Sequence, residues 1–496
     1  MTGTDLVALM PLWITAGASI LIMLSISIRR SYGFVASLSL LASAAAFVSV
    51  FWVGHLAPLS ITSLLVLDKF GLFFMGLFFA SCFFIFLLSH SYFRALPENR
   101  EEFFILVFLA ALGAGVLASS HHFVSFFLGL EILSISLCTL ISYTINRRES
   151  VESGTKYLVL ASVSAAFLLF GIALIYAESG TLDFAALAAK LAEGGMRTPL
   201  LFLGFSLLIV GMGFKLAVVP FHIWTPDVYQ GAPAPVTAFV STVSKGGMFT
   251  FLFRFFLIVD IASYPSLILI FSVISAASML AGNLLALTQN NVKRILAYSS
   301  ISHLGYLLVA FLAGGKSGIE AASFYLVAYF ITTIAAFGVI TVLSTADSDA
   351  DRIEDYRGMF WRRPWMAAVF TVALLSLAGI PVTAGFIGKF YVAAAGIKSS
   401  SWFLVLVLII SSTIGLYYYL RIIVAMYSQP ETERKSDLAV SFSSRRSLMA
   451  GIALAVLILL LVWFGVHPSG LIRVIKTTVG APNGLAVISV LRGGGS

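Results

Sequence analysis

Two lysines lie inside long apolar runs, on either side of a segment that proline and glycine interrupt. The stretch GMGFKLAVVPFHIWTPDVYQGAPAPVTAFVSTVSK begins at Gly211, carries Lys215 in its first apolar run and ends at Lys245. A charge at the centre of a bilayer costs roughly 2.5–3.5 kcal/mol even on lenient insertion scales. Two such groups beside a broken segment therefore indicate a polar pathway inside a bundle of helices.

Other ionisable residues lie in or beside apolar runs, and we regard them as candidate proton carriers: Glu131, Lys156, His222, His303 and Lys389. Lysines outnumber carboxylates in this set, so its members cannot all neutralise one another. At least one buried lysine must then be neutral or solvated, which is the condition for proton exchange. A purely structural role stays open for two of these residues. Lys156 lies close enough to a helix end for its ammonium group to reach the membrane surface, and His222 lies near a loop.

The chemistry suits proton transfer, because burial disfavours the charged form of a lysine and a nearby carboxylate favours it. At roughly 7 Å and an effective dielectric constant near 20, one such attraction amounts to about 2.4 kcal/mol. Moving a proton against roughly 180 mV takes about 4 kcal/mol. One switched pair is therefore insufficient, and a series of coupled groups driven from outside the chain is the better hypothesis.

Composition defines the class of protein. The 496 residues are 60% hydrophobic and 10% charged, whereas soluble domains are about 25% charged. An all-α polytopic membrane protein is predicted. Cys82 and Cys138 form no CxxC or iron–sulfur spacing, and no P-loop, zinc spacing or dinucleotide fingerprint sits in its required setting. We therefore expect no cofactor, no metal and no redox centre in this chain, and no nucleic-acid partner.

Apolar runs of about 20 residues predict about fourteen membrane helices. Their approximate ranges are 6–28, 33–54, 67–92, 102–120, 122–144, 152–177, 199–219, 233–259, 265–288, 292–313, 318–344, 364–397, 401–427 and 448–466. The first run is too long for a signal peptide and is read as a retained helix. The terminal GGGS at 493–496 is read as a possible linker scar.

Basic residues concentrate in alternate connections. One side holds Arg29, Arg30, Arg94, Arg100, Arg147, Arg148, Lys293, Arg294, Arg352, Arg357, Arg362, Arg363, Arg434, Lys435, Arg445 and Arg446, and the other holds Lys190, Arg197, Lys316 and Lys398. The positive-inside rule then places both termini on the outer, periplasmic side. The inner connection 220–232 carries Asp227 without Lys or Arg, which favours a segment partly folded into the membrane.

A second helix is also interrupted. Pro381 lies in LAGIPVTAGFIGKF, just before Lys389, and Pro220 and Pro381 each free a carbonyl four residues earlier, on Leu216 and Leu377. Paired broken helices are typical of inverted repeats. The predicted division is an N-terminal three-helix segment at 1–101, five-helix repeats at 102–260 and 261–427, each with a discontinuous helix, and a last loop, helix and tail at 428–492.

Three motifs carry a family resemblance: KLAVVPFHIWTPDVYQGAPAPVTAFVSTVSK, NVKRILAYSSISHLGY and LAGIPVTAGFIGKFY. With them, residues 1–480 resemble the antiporter-like membrane subunits of respiratory complex I, more narrowly the bacterial N-type subunits. The resemblance implies a multi-pass protein of the bacterial inner membrane that translocates protons and contacts lipid, a neighbouring antiporter-like subunit and small membrane subunits. It also implies that NADH, FMN, iron–sulfur clusters and quinone are bound by partner subunits.

The resemblance assigns roles to the candidate residues. It pairs Glu131 with Lys215, places Lys156 beside that pair, makes Lys245 the central lysine and makes Lys389 the exit lysine. His303, and less directly His222, would lie along a connecting chain of water.

Two other functions stay open from the sequence. The chain could belong to a multi-subunit cation/proton antiporter with the same core, although the motifs resemble the complex I subunits more closely. It could also be a scaffold subunit whose charges only hold neighbours together. A stand-alone solute transporter is less consistent, because no substrate-sized cluster of polar residues accompanies the lysines.

Overall fold

The structure is a computed structural model that describes residues 3–96, 100–194, 198–345, 348–429 and 445–478. Within these ranges, thirteen helices are long and apolar enough to cross a membrane. The only strands described are a short antiparallel pair, β1 (Leu59–Ser60) and β2 (Val66–Leu67). The prediction of an all-α polytopic membrane protein is confirmed.

The helices follow the predicted order closely. They are α1 (Gly3–Ala8), α2 (Met10–Ile28), α3 (Tyr32–Val53), α4 (Lys69–Arg94), α5 (Glu102–Ser119), α6 (Phe123–Ile141), α7 (Arg148–Ser179), α8 (Phe184–Gly194), α9 (Pro199–Leu216), α10 (Trp224–Gly231), α11 (Ala234–Phe239), α12 (Lys245–Val259), α13 (Pro265–Leu287), α14 (Val292–Ala313), α15 (Gly315–Leu343), α16 (Met359–Arg362), α17 (Pro364–Ala378), α18 (Ala384–Lys398), α19 (Trp402–Tyr427), α20 (Arg445–Val466) and α21 (Ser469–Thr478). Four short helices, α8, α10, α16 and α21, have no counterpart among the predicted spans.

Both predicted breaks are present. The first separates α9 from α10 at residues 217–223, and the second separates α17 from α18 at residues 379–383. Each upstream half-helix is followed directly by a residue with a positive φ, 59° at Ala217 and 83° at Gly379. The predicted helix 364–397 is thus two half-helices, which together with the thirteen longer spans account for the fourteen predicted segments.

One π-helical segment, Val240–Ser244, joins α11 to α12 in a single span from Ala234 to Val259. A π turn contains one residue more per hydrogen-bonded loop than an α turn and occurs often at functional sites. Here it ends directly before Lys245. Short 3-10 segments are Ile261–Ser263 and Ile353–Tyr356.

The interior of the bundle is formed by three spans. In Ala234–Val259, α14 and α15, 89% of the most apolar window is buried, against 33% in α2 and 28% in the span of α20. The three buried spans contain Lys245, His303 and three tyrosines whose rings lie close to that histidine. The most protected helices therefore carry candidate ionisable residues, whereas α2 and α20 present apolar side chains outward.

The loops rich in Arg and Lys define one end of the bundle, called here the basic end, and they meet in a buried cluster. Asp349 accepts hydrogen bonds from Lys293 Nζ at 2.7 Å, from Arg147 Nη1 at 3.0 Å and from the Tyr92 hydroxyl at 2.8 Å. Burial alone would raise the pKa of Asp349, but Lys293 and Arg147 outweigh burial and hold the pKa below its usual value. The cluster joins the loop at 344–352 to α4, α7 and α14.

We expect Asp349→Asn to destabilise the folded chain by about 2 kcal/mol, because two cations lose a charged acceptor. Since the pKa of Asp349 is lowered on folding, its contribution is fully present above the unfolded value of about 3.9 and is lost as the pH falls through the lower folded value. Thermal unfolding at pH 7 tests this, with the exposed Glu354→Gln as control. Equal stability of Asp349→Asn and the wild type would contradict it.

Several expectations stay untested. The division into inverted repeats at 102–260 and 261–427 stays a prediction, and so does the periplasmic position of the termini. Arg197, Arg434, Lys435 and the GGGS at 493–496 lie outside the described residues.

Candidate functional site

Lys215 lies at the C-terminal end of α9, directly before the first break, and is 7% exposed. Its Nζ is 2.6 Å from Ser134 Oγ and lies over the rings of Tyr157 and Phe214, at 5.5 and 5.7 Å from their centroids. Trp224 from the other side of the break donates to the carbonyl of Phe214 at 2.9 Å. The broken geometry thus builds an enclosed, mostly aromatic pocket around one ammonium group.

Glu131 lies on α6, three residues before Ser134, which places both side chains on one helix face. Its Oε1 is buried and has no hydrogen-bond partner among the described residues. The described ion pairs, all within 4.0 Å, do not include Glu131 with Lys215. The predicted partners therefore lie on α6 and α9, which the hydrogen bond between Lys215 and Ser134 connects, and any coupling between the two charges acts over more than 4.0 Å.

Lys156 has a different setting from the other candidate lysines. Its side chain is 46% exposed, and its Nζ is 2.9 Å from both Glu152 and Asp227. Asp227 also accepts from Arg294 at 2.8 Å. These contacts join α7, the segment after the first break and α14 near the basic end. They also explain how Asp227 lies in a connection without a basic residue of its own, because its cations come from other helices.

Lys245 begins α12 at the end of the π turn and is 1% exposed. Its Nζ donates to Ser300 Oγ at 2.7 Å and lies 5.3 Å from the centre of the Tyr229 ring. The described ion pairs give it no carboxylate partner. A hydroxyl and an aromatic face therefore form its contacts in the centre of the bundle.

His303 lies between tyrosines. Its Nδ1 is 2.7 Å from the Tyr325 hydroxyl, its Nε2 is 3.3 Å from the Tyr419 hydroxyl, and its ring packs on Tyr329 with centroids 5.3 Å apart. Both ring nitrogens thus have hydroxyl partners that can donate or accept. His222, by contrast, lies in the first break, half-buried, and its Nδ1 has no hydrogen-bond partner among the described residues.

Lys389 closes the second break. Its Nζ donates to the carbonyls of Leu377 at 2.8 Å and Ala378 at 2.9 Å, and to Ser412 Oγ at 2.8 Å. All three hydrogens of the ammonium group are therefore used, and the C-terminal end of a half-helix carries partial negative charge that favours a cation. Leu377 is the residue whose carbonyl Pro381 was predicted to free, so the break supplies the ligands of this lysine.

Gly379 makes that contact possible. Its φ of 83° is strained for other residues, and a Cβ there would lie 2.8 Å from Lys389 Cδ. The glycine predicted as part of a helix break thus also leaves space for the lysine side chain.

The sequence indicated hydroxyl groups around His303 on its own helix, Ser300 among them, but not the hydroxyl partners of the lysines or the tyrosines of α15. Ser134, Ser300 and Ser412 each bind one buried lysine, and Tyr325 and Tyr329 flank His303. Tyrosines four residues apart on an apolar helix share one face, and this spacing was the available signal. The serines had no comparable signal, because their pairing depends on how separate helices pack.

Comparison with known proteins supports the same reading. Residues 120–415 match the family model described as "NADH:quinone oxidoreductase/Mrp antiporter, TM", and this range contains both breaks and every candidate residue. The chain is 44% identical over 481 residues, 96% of either chain, to a NADH-quinone oxidoreductase subunit N of Ectopseudomonas mendocina.

Solved structures share the fold. A chain of respiratory complex I from Thermus thermophilus with bound aureothin is similar at a TM-score of 0.78 and 32% identity, covering 93% of this chain and 98% of that one. A chain of the Mrp complex from Dietzia has a TM-score of 0.83 at 19% identity, covering 99% and 100%, which shows the fold alone. The chain belongs to the NADH:quinone oxidoreductase/Mrp antiporter family of membrane subunits.

Proposed function

We propose that this chain is a proton-translocating membrane subunit of a bacterial NADH:quinone oxidoreductase. Protons move through a path of buried groups that comprises Glu131, Lys215, Lys245, His303 and Lys389, and quinone reduction in other subunits drives them. One observation carries the proposal: three ammonium groups, those of Lys215, Lys245 and Lys389, are buried against hydroxyls, carbonyls and aromatic rings, and none of them forms an ion pair with a carboxylate of the described residues.

The surroundings of the three lysines fit proton exchange better than a purely structural role. A structural buried charge is normally paired and fully hydrogen-bonded, because an uncompensated charge costs several kcal/mol. Hydroxyl partners serve both forms of a lysine, since a serine accepts from the ammonium and donates to the neutral amine. Each lysine is therefore able to lose and regain its proton without losing its partner.

Lys156 and His222 have secondary places in the proposal. Lys156 is exposed and bound to carboxylates, so we assign it to the electrostatics of the basic end, with Asp227 as its partner. His222 lies within the first break, seven residues after Lys215, and its Nδ1, which has no hydrogen-bond partner among the described residues, is available for a proton. The electron carriers NADH, FMN, iron–sulfur clusters and quinone belong to partner subunits in this proposal, and both termini lie on the periplasmic side of the inner membrane.

The proposal is tested with the intact enzyme that contains this chain, reconstituted into liposomes. We expect NADH oxidation with a soluble quinone to move protons across the membrane in sodium-free buffer, as a pH-sensitive dye reports. Sodium-dependent transport without any NADH-linked activity would contradict it and favour a cation/proton antiporter. A scaffold role predicts instead that substitutions at the buried lysines lower assembly and pumping in proportion.

A further inference from the structure

One serine hydroxyl connects the central lysine to two tyrosines. Ser300 Oγ is 2.7 Å from Lys245 Nζ, 2.7 Å from the Tyr329 hydroxyl and 3.2 Å from the Tyr229 hydroxyl. The serine lies on α14, and its three partners lie on α12, α15 and α10. All four side chains are at most 4% exposed. Four separate segments of the chain thus converge on a single oxygen atom.

Counting hydrogens shows what this oxygen can do. A serine hydroxyl has one hydrogen and two lone pairs, whereas an ammonium group only donates. When Lys245 is charged, Ser300 accepts from Lys245 and Tyr329 and directs its own hydrogen to Tyr229. When Lys245 is neutral, Ser300 can instead donate to the amine and accept from both tyrosines. The direction of the Ser300 O–H bond therefore follows the charge on Lys245.

The two tyrosines lead in different directions. Tyr229 belongs to α10, the helix that follows the first break and carries Asp227. The Tyr329 ring packs on the His303 ring with centroids 5.3 Å apart, and His303 Nδ1 is bonded to Tyr325. Ser300 consequently lies between the first broken segment and the histidine cluster.

We propose that Ser300 is a relay residue through which Lys245 exchanges its proton with the hydroxyls of Tyr229 and Tyr329. This inference rests on the proposed function and adds a branch point to it. In the step, an Nζ–H bond of charged Lys245 breaks as an Oγ–H bond forms on Ser300, and the hydrogen that Ser300 carried passes to the hydroxyl oxygen of Tyr229 or Tyr329. That tyrosine releases its own hydroxyl hydrogen to a water molecule of the proton path, so each hydroxyl ends with one hydrogen, only a proton moves and no electron is transferred.

The test uses the reconstituted enzyme with Ser300→Ala, Ser300→Thr and the control Ser275→Ala. We expect Ser300→Ala to assemble normally and to lower protons moved per NADH about fivefold, because a hydrogen bond to a charged group is removed. Ser300→Thr keeps the hydroxyl and should stay within about twofold of the wild type. Ser275 is equally buried, but its hydroxyl donates to the Gly305 carbonyl, so Ser275→Ala should pump normally.

Normal pumping by assembled Ser300→Ala would overturn the relay. If that variant does not assemble, the double variant Tyr229→Phe/Tyr329→Phe replaces it, since both rings are kept, and normal pumping by the double variant would likewise overturn the inference. The variant Lys215→Ala distinguishes a failure of the relay from a failure of the proposed function. Normal pumping by Ser300→Ala but not by Lys215→Ala refutes only the relay, whereas normal pumping by both refutes the proposed function.

Discussion

The enzyme with Lys215→Ala is expected to assemble normally and to move at least about tenfold fewer protons per NADH oxidised than the wild type. Among the described residues, Lys215 carries the only ammonium group at the first break, and its Nζ contacts the Ser134 hydroxyl. Alanine offers no group that could carry a proton there. A tenfold loss corresponds to only about 1.4 kcal/mol in a barrier, which is less than the cost of leaving a proton without its acceptor in a desolvated site.

Assembly should survive because the described contacts of Lys215 are with the Ser134 hydroxyl and two aromatic rings, so the substitution breaks no direct ion pair. Native gel electrophoresis and the rate of NADH oxidation with an artificial acceptor measure assembly, and dye quenching in liposomes measures pumping. Lys316→Ala is the matched control, since that lysine is exposed in the first turn of α15. An assembled Lys215→Ala enzyme that pumps at the wild-type ratio would exclude the proposed role.

The second large effect concerns stability, and it arises at the end of the bundle opposite the basic end. Arg254 and Asp68 are 4% and 2% exposed in their side chains and form two hydrogen bonds, at 2.6 and 2.7 Å. Arg254 also donates to the Ala118 carbonyl at 2.7 Å, and Asp68 accepts from the Gly71 amide at 2.7 Å. The pair thereby ties α12 to the start of α4 and the end of α5.

We expect Arg254→Leu to lower the free energy of unfolding by about 3–5 kcal/mol, because it leaves the Asp68 carboxylate buried without its cation. The amount of chain retained in membranes and the thermal midpoint of the purified enzyme measure the effect. The double variant Asp68→Asn/Arg254→Leu serves as control and should recover much of the loss, since Asn can still accept from Gly71 and no charge stays unpaired. A single variant as stable as the wild type would show that the pair is not structural.

The broken helices and the buried lysines could be predicted from the sequence for local physical reasons. Proline removes a backbone donor wherever it lies, so Pro220 and Pro381 mark breaks without knowledge of the neighbours. A lysine in a hydrocarbon-length run is informative in the same way. These features need only the residue and its immediate surroundings.

The partners of those lysines could not be predicted, because they depend on packing between distant segments. Lys156 binds Asp227, 71 residues away, and Lys245 binds Ser300, 55 residues away. The resemblance placed Lys156 beside Glu131 and Lys215, yet its described contacts are with Glu152 and Asp227. Apolar periodicity carries no information on such pairs when a helix is buried on every side.

The π turn at Val240–Ser244 affects the direction in which the side chain of Lys245 points. Successive residues of an α-helix are rotated by about 100° around the axis, and the extra residue shifts everything after Phe239 by about one such step. Residues 234–239 and 245–259 therefore follow two different helical wheels within one span. The direction in which the Lys245 side chain points, toward Ser300, is therefore set by the backbone winding of the five uncharged residues directly before it.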